Sequence, residues 1–551
     1  MLRVIHRLQT LVPILIVPIL LLPSAGRTET PDPPVQPLST LTATPGTPSP
    51  ITGRTGDTNP ELYAAILPEH RERIYAQTQG KLSRYRITAT VEPRGSDQPA
   101  LVSGTLQLRY VNETATPRDE IYFRLYPNAP AYAEAEMSVS SLSVAGSPVV
   151  PVLSVDNTVL QVALLDPLPP GAATDLELTF AATVPVRPMQ TYGIFAVDPS
   201  TGTIALAHWF PLLAGYDESG WSLHPVSRNG DPIFSNTALF DVRLRTPEDW
   251  QVAATGIESE RTTAGGVTSR RLISGPVRDF TVVTSDRFES ISRDVAGTTV
   301  TSYLHPERAS GGEAVLNYGA TALSVYNELL IPYPYREMDL VEVELYGAGG
   351  VEFPQLMLMA RSLYANDHSR NEHYLEFVTA HEVGHQWFFS MVGNNQHLDA
   401  FIDEGLVEYL STDVYFTAVH GAETGRRQFG LEVLLWYLGM LRTGRDMVVD
   451  QPTDSFSNSS IYAAAVYAKG AIGFAEIHDL IGNDAFFSAL RHYTTDNMFG
   501  VGTPGALLSA FEAESDRDAG AVWTLWFEQE NGAAVFDEQD YQELMVELGL
   551  R

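Results

Sequence analysis

Cysteine is missing altogether from the 551 residues. That excludes disulfides, thiolate metal sites, iron–sulfur clusters, cysteine nucleophiles and a lipidated N-terminal cysteine, and leaves His, Asp and Glu to hold any metal. Basic residues are scarce: 35 Lys and Arg oppose 67 Asp and Glu, a net charge of −32, and the lysines are Lys81 and Lys469 alone. So acidic a surface repels phosphate backbones and argues against nucleic acid as a partner. Long apolar runs are missing too. The longest, Leu11 to Pro23, falls short of the roughly 20 residues that a membrane helix needs. Arg3 and Arg7 precede it and Ser24, Ala25 and Gly26 follow. That order describes a cleaved secretory signal over 1–26, the alternative being a retained N-terminal anchor. Either way the expected location is outside the cytoplasm: secreted, periplasmic or tethered at the cell surface.

What is present divides along the chain. Residues 27–59, as in "PDPPVQPLSTLTATPGTPSP", are rich in Pro and Thr, cannot build a core and read as a disordered linker. A short helical lead-in follows over 60–82. From 83 to 306 short segments of period-two spacing, such as "RYRITATVEP" and "TDLELTFAATVP", each end in turn-forming residues. They predict an all-β domain, an antiparallel sandwich or saddle. From 307 to 551 the texture becomes helical around a few strands, an α+β domain. In it "VEFPQLMLMA" reads as an extended segment that Pro354 confines to a sheet edge, because proline cannot donate to a ladder.

The chemistry concentrates in "FVTAHEVGHQWFFSMV". On a helix, residues four apart share a face, so His381 and His385 can aim two imidazole nitrogens at one cation. Glu382 is one position round, able to reach a water at the metal without being a ligand. The pattern alone is also compatible with a helix bearing two solvated histidines, so a third ligand decides. Met391 and Phe388 stand where a following His and Gly would be needed for a ligand close behind the motif. A glutamate on the next helix remains, and "AFIDEGLVEYLSTDVYF" supplies Glu404. Two His and one Glu leave a fourth position open, the mark of a catalytic zinc, one per chain. Asp403 and Glu408 read as helix surface or as supports for the ligands. His397 reads as solvated or capping, and His368 and His373 as unrelated to the metal.

HEVGH followed by "DEGLVEY" resembles the M1 family of zinc aminopeptidases, within the gluzincins. Two further stretches are similar to family motifs. "GAGGVEFPQLML" resembles its exopeptidase motif, with Glu352 at the glutamate that binds the substrate's free N-terminus, Val351 in place of a methionine and Phe353 in place of an asparagine. "VYAKGAIGF" resembles its Tyr-x-Lys-Gly-Ala stretch, which makes Tyr467, rather than nearby Tyr462, the donor to the oxyanion. The resemblance implies a thermolysin-like second domain, here without the large helical C-terminal domain of many members. It also implies peptide substrates with a free N-terminus, hydrolysed by water that zinc activates and Glu382 deprotonates. A zinc endopeptidase, an epoxide hydrolase on the same fold and a non-catalytic binding scaffold are the alternatives.

Overall fold

A computed structural model describes residues 55–550 except 133, 188–191, 232 and 366–370. The leader, most of the Pro/Thr-rich stretch and His368 lie outside the described residues. Among the described residues no helix is long and apolar enough to cross a membrane.

The chain begins with a 3₁₀ turn, Pro60–Tyr63, and the helix Pro68–Thr78, followed by an all-β region. Its largest sheet has eight strands, centred on Ser83–Glu92 and Ala100–Val111. Alternation builds it: Tyr85, Ile87, Ala89 and Val91 are buried while the residues between them are more open. Neighbours run antiparallel, except that Ser83–Glu92 lies parallel to the distant strand Ala238–Pro247. Two four-stranded sheets and a two-stranded one, Tyr216–Asp217 with Gly220–Trp221, complete the described region.

The second region is built on a five-stranded sheet in which Thr298–Leu304, Glu337–Val343 and Leu356–Ala360 are parallel neighbours. Sequence texture puts the seam at 306, yet Glu289–Val295 and Thr298–Leu304 already belong to this second sheet. Period-two alternation looks the same whichever sheet a strand joins, so only long-range pairing separates the two. The expectation of one extended segment at "VEFPQLMLMA" needs correcting. The stretch is a hairpin, Gly350–Phe353 and Leu356–Ala360, turning at Pro354 and Gln355, where φ is 63°. Proline sits in the turn, where its missing N–H costs no ladder bond. Only Gly350–Phe353 is at the edge; Leu356–Ala360 is interior and wholly buried. The helix Ala309–Leu329 packs on this sheet, and the helix Tyr374–Gly384 packs on Ala309–Leu329. The rest of the chain to Glu547 is helical.

Candidate active site

Tyr374–Gly384 carries the HEVGH residues, and everything after Tyr374 in it is buried. His385 closes the helix. The helix Glu404–Tyr409 follows, capped by the Asp403 side chain, which accepts from the Glu404 N–H. Together these helices bring His381 Nε2 within 3.1 Å of His385 Nε2, and Glu404 Oε2 within 3.4 Å and 3.2 Å of the two. Ligand atoms around a tetrahedral zinc with bonds of about 2.1 Å lie about 3.4 Å apart, so this triangle has the size the ion needs.

The outer nitrogens are tied as well. His385 Nδ1 lies 3.0 Å from the Phe388 carbonyl, to which it can only donate, and His381 Nδ1 lies 3.2 Å from Glu408 Oε2. Both contacts hold the protons on Nδ1 and leave the Nε2 lone pairs facing each other. Glu408 is therefore packed against His381 and not on the helix surface; it is 4% exposed. Asp403 is buried too, hydrogen-bonded by the Gln396 amide. His397 is half-buried, stacked on His224 and 3.2 Å from Thr453 Oγ1. His373 contacts Glu376 rather than the HEVGH pair.

Electrostatics favour positive charge at this triangle. Burial alone would raise the Glu404 carboxyl, but the imidazoles of His385 and His381 outweigh it and hold the group well below the usual carboxylate range. Burial likewise works against a charge on His381, yet Glu404 and Glu408 push it up to about 10. Two carboxylates thus draw a cation, proton or metal, onto the imidazole pair, and the donor set fits zinc.

Three more groups face the same pocket, of about 300 Å³. Glu382 is buried, its Oε2 has no hydrogen-bond partner, and burial pushes its carboxyl up to about 8. The glycine loop ahead of the hairpin passes close to it: a Cβ on Gly350 would come 2.4 Å from Glu382 Oε1. Glu352, on the edge strand, is 5% exposed with Oε1 unpartnered, and burial with the facing Asp231 raises its carboxyl well above the ordinary range. Tyr467 belongs to a wide helical turn, Ala463–Lys469, and its hydroxyl donates to Glu404 Oε1 at 2.5 Å. Tyr462 lines the pocket as well, with its hydroxyl unpartnered.

Asp231 escaped the sequence reading. It comes from a loop of the all-β region, reaches the pocket beside Glu352, and burial pushes its carboxyl up to about 7. A single Asp in "RNGDPIF" carries no local signal of that destination.

Residues 315–526 match the sequence model of the peptidase family M1 domain, a range that includes every HEVGH, Glu352, Glu404 and Tyr467 position named above. Over that stretch the chain is similar to the peptidase family M1 domain. Among curated M1 relatives, "Aminopeptidase M1" of Arabidopsis thaliana is 25% identical over 248 residues, covering 42% of this chain and 27% of its own length. "Membrane alanyl aminopeptidase" of Manduca sexta is 24% identical over 317 residues, covering 55% and 31%. The chain thus spans about a third or less of these relatives. The M1 zinc metallopeptidase of Deinococcus radiodurans, in a variant bound to Tyr-Ser-Ala, shares the fold. It has a TM-score of 0.58 at 19% identity, over 82% of this chain and 95% of that one. The order of a β region followed by a helix-rich region is therefore shared with that structure.

Proposed function

We propose that this protein is a zinc-dependent aminopeptidase of family M1, with His381, His385 and Glu404 as the ligands of one zinc. The observation that carries the reading is the convergence of His381 Nε2, His385 Nε2 and Glu404 Oε2 within 3.1–3.4 Å, beside the unpartnered carboxylate oxygens of Glu382 and Glu352. When bound, zinc supplies Lewis acidity to the scissile carbonyl and makes water acidic enough to attack at neutral pH. Glu382 Oε2 accepts the proton of that water, and the same carboxyl passes it to the leaving nitrogen. Its raised pKa suits both halves of that transfer. Tyr467 Oη, held ready by Glu404, turns to the developing oxyanion and donates to it. Glu352 and Asp231 together receive the substrate's α-ammonium, which satisfies the unpartnered Glu352 Oε1 and sets the first peptide bond over the triangle. The Tyr-Ser-Ala held by the Deinococcus M1 relative supports a peptide with a free N-terminus as the substrate class. The apolar leader over 11–23 supports work outside the cytoplasm, which fractionation of the host cell tests.

The test pairs metal content with turnover of aminoacyl-arylamides and their N-acetyl counterparts by the full chain and by Glu382→Gln. One zinc per chain, cleavage of the free-amine substrates alone, and loss of cleavage with zinc retained in the variant are expected. Cleavage of N-blocked peptides would make the protein an endopeptidase. Absence of turnover in zinc-loaded protein would leave a binding scaffold.

A further inference from the structure

A second set of metal-ligand side chains stands at the start of the HEVGH helix, apart from the pocket. His373 precedes the helix, Glu376 lies in its first turn, and His420 ends the helix Tyr415–His420. His373 Nδ1 is 3.0 Å from Glu376 Oε2, and His420 Nε2 is 2.7 Å from Glu376 Oε1. One ligand atom from each of the three residues falls within 4.8 Å of the others. Both rings are held by Phe416, stacked on His420 at 5.5 Å and edge-on to His373 at 5.4 Å. The set is therefore preorganised rather than a chance meeting of mobile side chains.

The charge balance points to a ligand. Glu376 is 3% exposed, and among the described residues no Lys or Arg pairs with it. Its contacts are the two imidazoles and the Tyr415 hydroxyl, which donates at 3.0 Å. A buried carboxylate so placed has no permanent counter-charge among the described residues. A divalent ion supplies it and accepts both imidazole lone pairs. To share one centre, Nδ1, Nε2 and a carboxylate oxygen close from within 4.8 Å to about 3.4 Å of one another. Two imidazoles and a carboxylate select zinc or a neighbouring first-row ion over calcium or magnesium. The imidazoles are partly open, His373 at 28% and His420 at 32% side-chain exposure, so water completes the shell and the ion exchanges with solvent.

We infer that His373, Glu376 and His420 form a second zinc-class cation site, which ties the beginning of the HEVGH helix to the helix Tyr415–His420. The inference does not rest on the aminopeptidase reading.

Equilibrium dialysis of the full chain against zinc, with metal counted by mass spectrometry, tests it. The expected result is two equivalents in the wild type, the second released first by a mild chelator. His420→Gln, a change at a partly open side chain, should bind one equivalent less, and His492→Gln, a surface histidine elsewhere, should bind as the wild type does. Cobalt(II) substitution gives a second readout, with one set of d–d bands missing in His420→Gln. A second equivalent that survives His420→Gln, or is lost equally in His492→Gln, would overturn the site as adventitious surface binding. A wild type that takes up no equivalent sensitive to His420 overturns it as well.

Discussion

Gly405→Ala tests how two motifs come to share one site. Gly405 follows Glu404, and Gly470 follows the Tyr467-Ala-Lys stretch. At these glycines the two helices meet backbone to backbone. A Cβ on Gly405 would lie 2.8 Å from the Val466 carbonyl oxygen and 3.1 Å from Gly470 Cα, and one on Gly470 would lie 3.2 Å from Gly405 Cα. Ordinary contact begins near 3.4 Å, so the helices must part by about 0.6 Å, and because the obstructing atoms are backbone no side chain can swing away. Overpacking of this kind costs about 1–3 kcal/mol. The same displacement acts on neighbours of the contact, Glu404 and Tyr467, whose 2.5 Å hydrogen bond spans it. Misplacement approaching 1 Å costs on the order of 10²-fold in rate. Gly405→Ala should therefore unfold about 1–3 kcal/mol more easily in urea and lose ten- to a hundred-fold in kcat/KM on an aminoacyl-arylamide. Gly505→Ala is the control: exposed in the helix Pro504–Ala513 with nothing within 4 Å of its Cβ, it should gain up to about 1 kcal/mol and keep full activity. Equal behaviour of the two variants, or a wild-type Gly405→Ala, would refute the argument from close approach.

Tyr467→Phe keeps the ring and removes one donor; kcat should fall about 10²–10³-fold with zinc content and urea midpoint unchanged. Lys469 is fully buried and donates to Asp446 and to the Met447 and Gln529 carbonyls at 2.6–3.0 Å. Lys469→Met leaves Asp446 without its cation and should cost about 3–5 kcal/mol by chemical denaturation. Asp279 is fully buried with Oδ2 unpartnered, and burial pushes its carboxyl up to about 7, while burial holds the facing His208 down at about 3 and so uncharged. A carboxyl raised on folding binds its proton more tightly in the native state. Its contribution is complete below about pH 4 and is lost as pH rises through 7. Asp279→Asn, which keeps the oxygen accepting from the Phe280 N–H, should flatten the fall in stability between pH 5 and 8 and exceed the wild type at pH 8. A steeper pH dependence in the variant would contradict the assigned direction.

The facing of His381 and His385 was legible because helical periodicity converts sequence spacing directly into distance, whereas Glu404 stands on the next helix and is brought to them by packing. The two groups that neighbour the triangle were harder. Glu408 shows as a helix residue one turn after Glu404, but only packing decides that it faces His381 Nδ1 rather than solvent. Asp231 was invisible, since its route to Glu352 runs through the association of two sheets that no local pattern encodes. The same limit hid the parallel pairing of Ser83–Glu92 with Ala238–Pro247 and moved the seam between regions ahead of Glu289. Lys469 had no physical role in the sequence reading; its three buried acceptors, two of them around the helix ends near 447 and 529, supply one.

Burial alone does not distinguish the carboxylates of the pocket, because Glu352, Glu382, Asp403, Glu404 and Glu408 are all buried and Asp231 is half-buried. What separates them is the neighbour each one meets. Glu404 faces two imidazoles and remains an anion. Glu352, Asp231 and Asp403 face mainly other carboxylates, which raise each of them further and leave protons to be displaced when a cation arrives. Glu382 meets both kinds of neighbour, His381 on one side and Glu404 and Asp231 on the other, and burial outweighs the imidazole and pushes it up to about 8. One anion beside two imidazoles and a set of raised carboxyls around it thus arise from a single acidic cluster. The distinction is made by the placement of two histidines four residues apart, and it would collapse if either were removed.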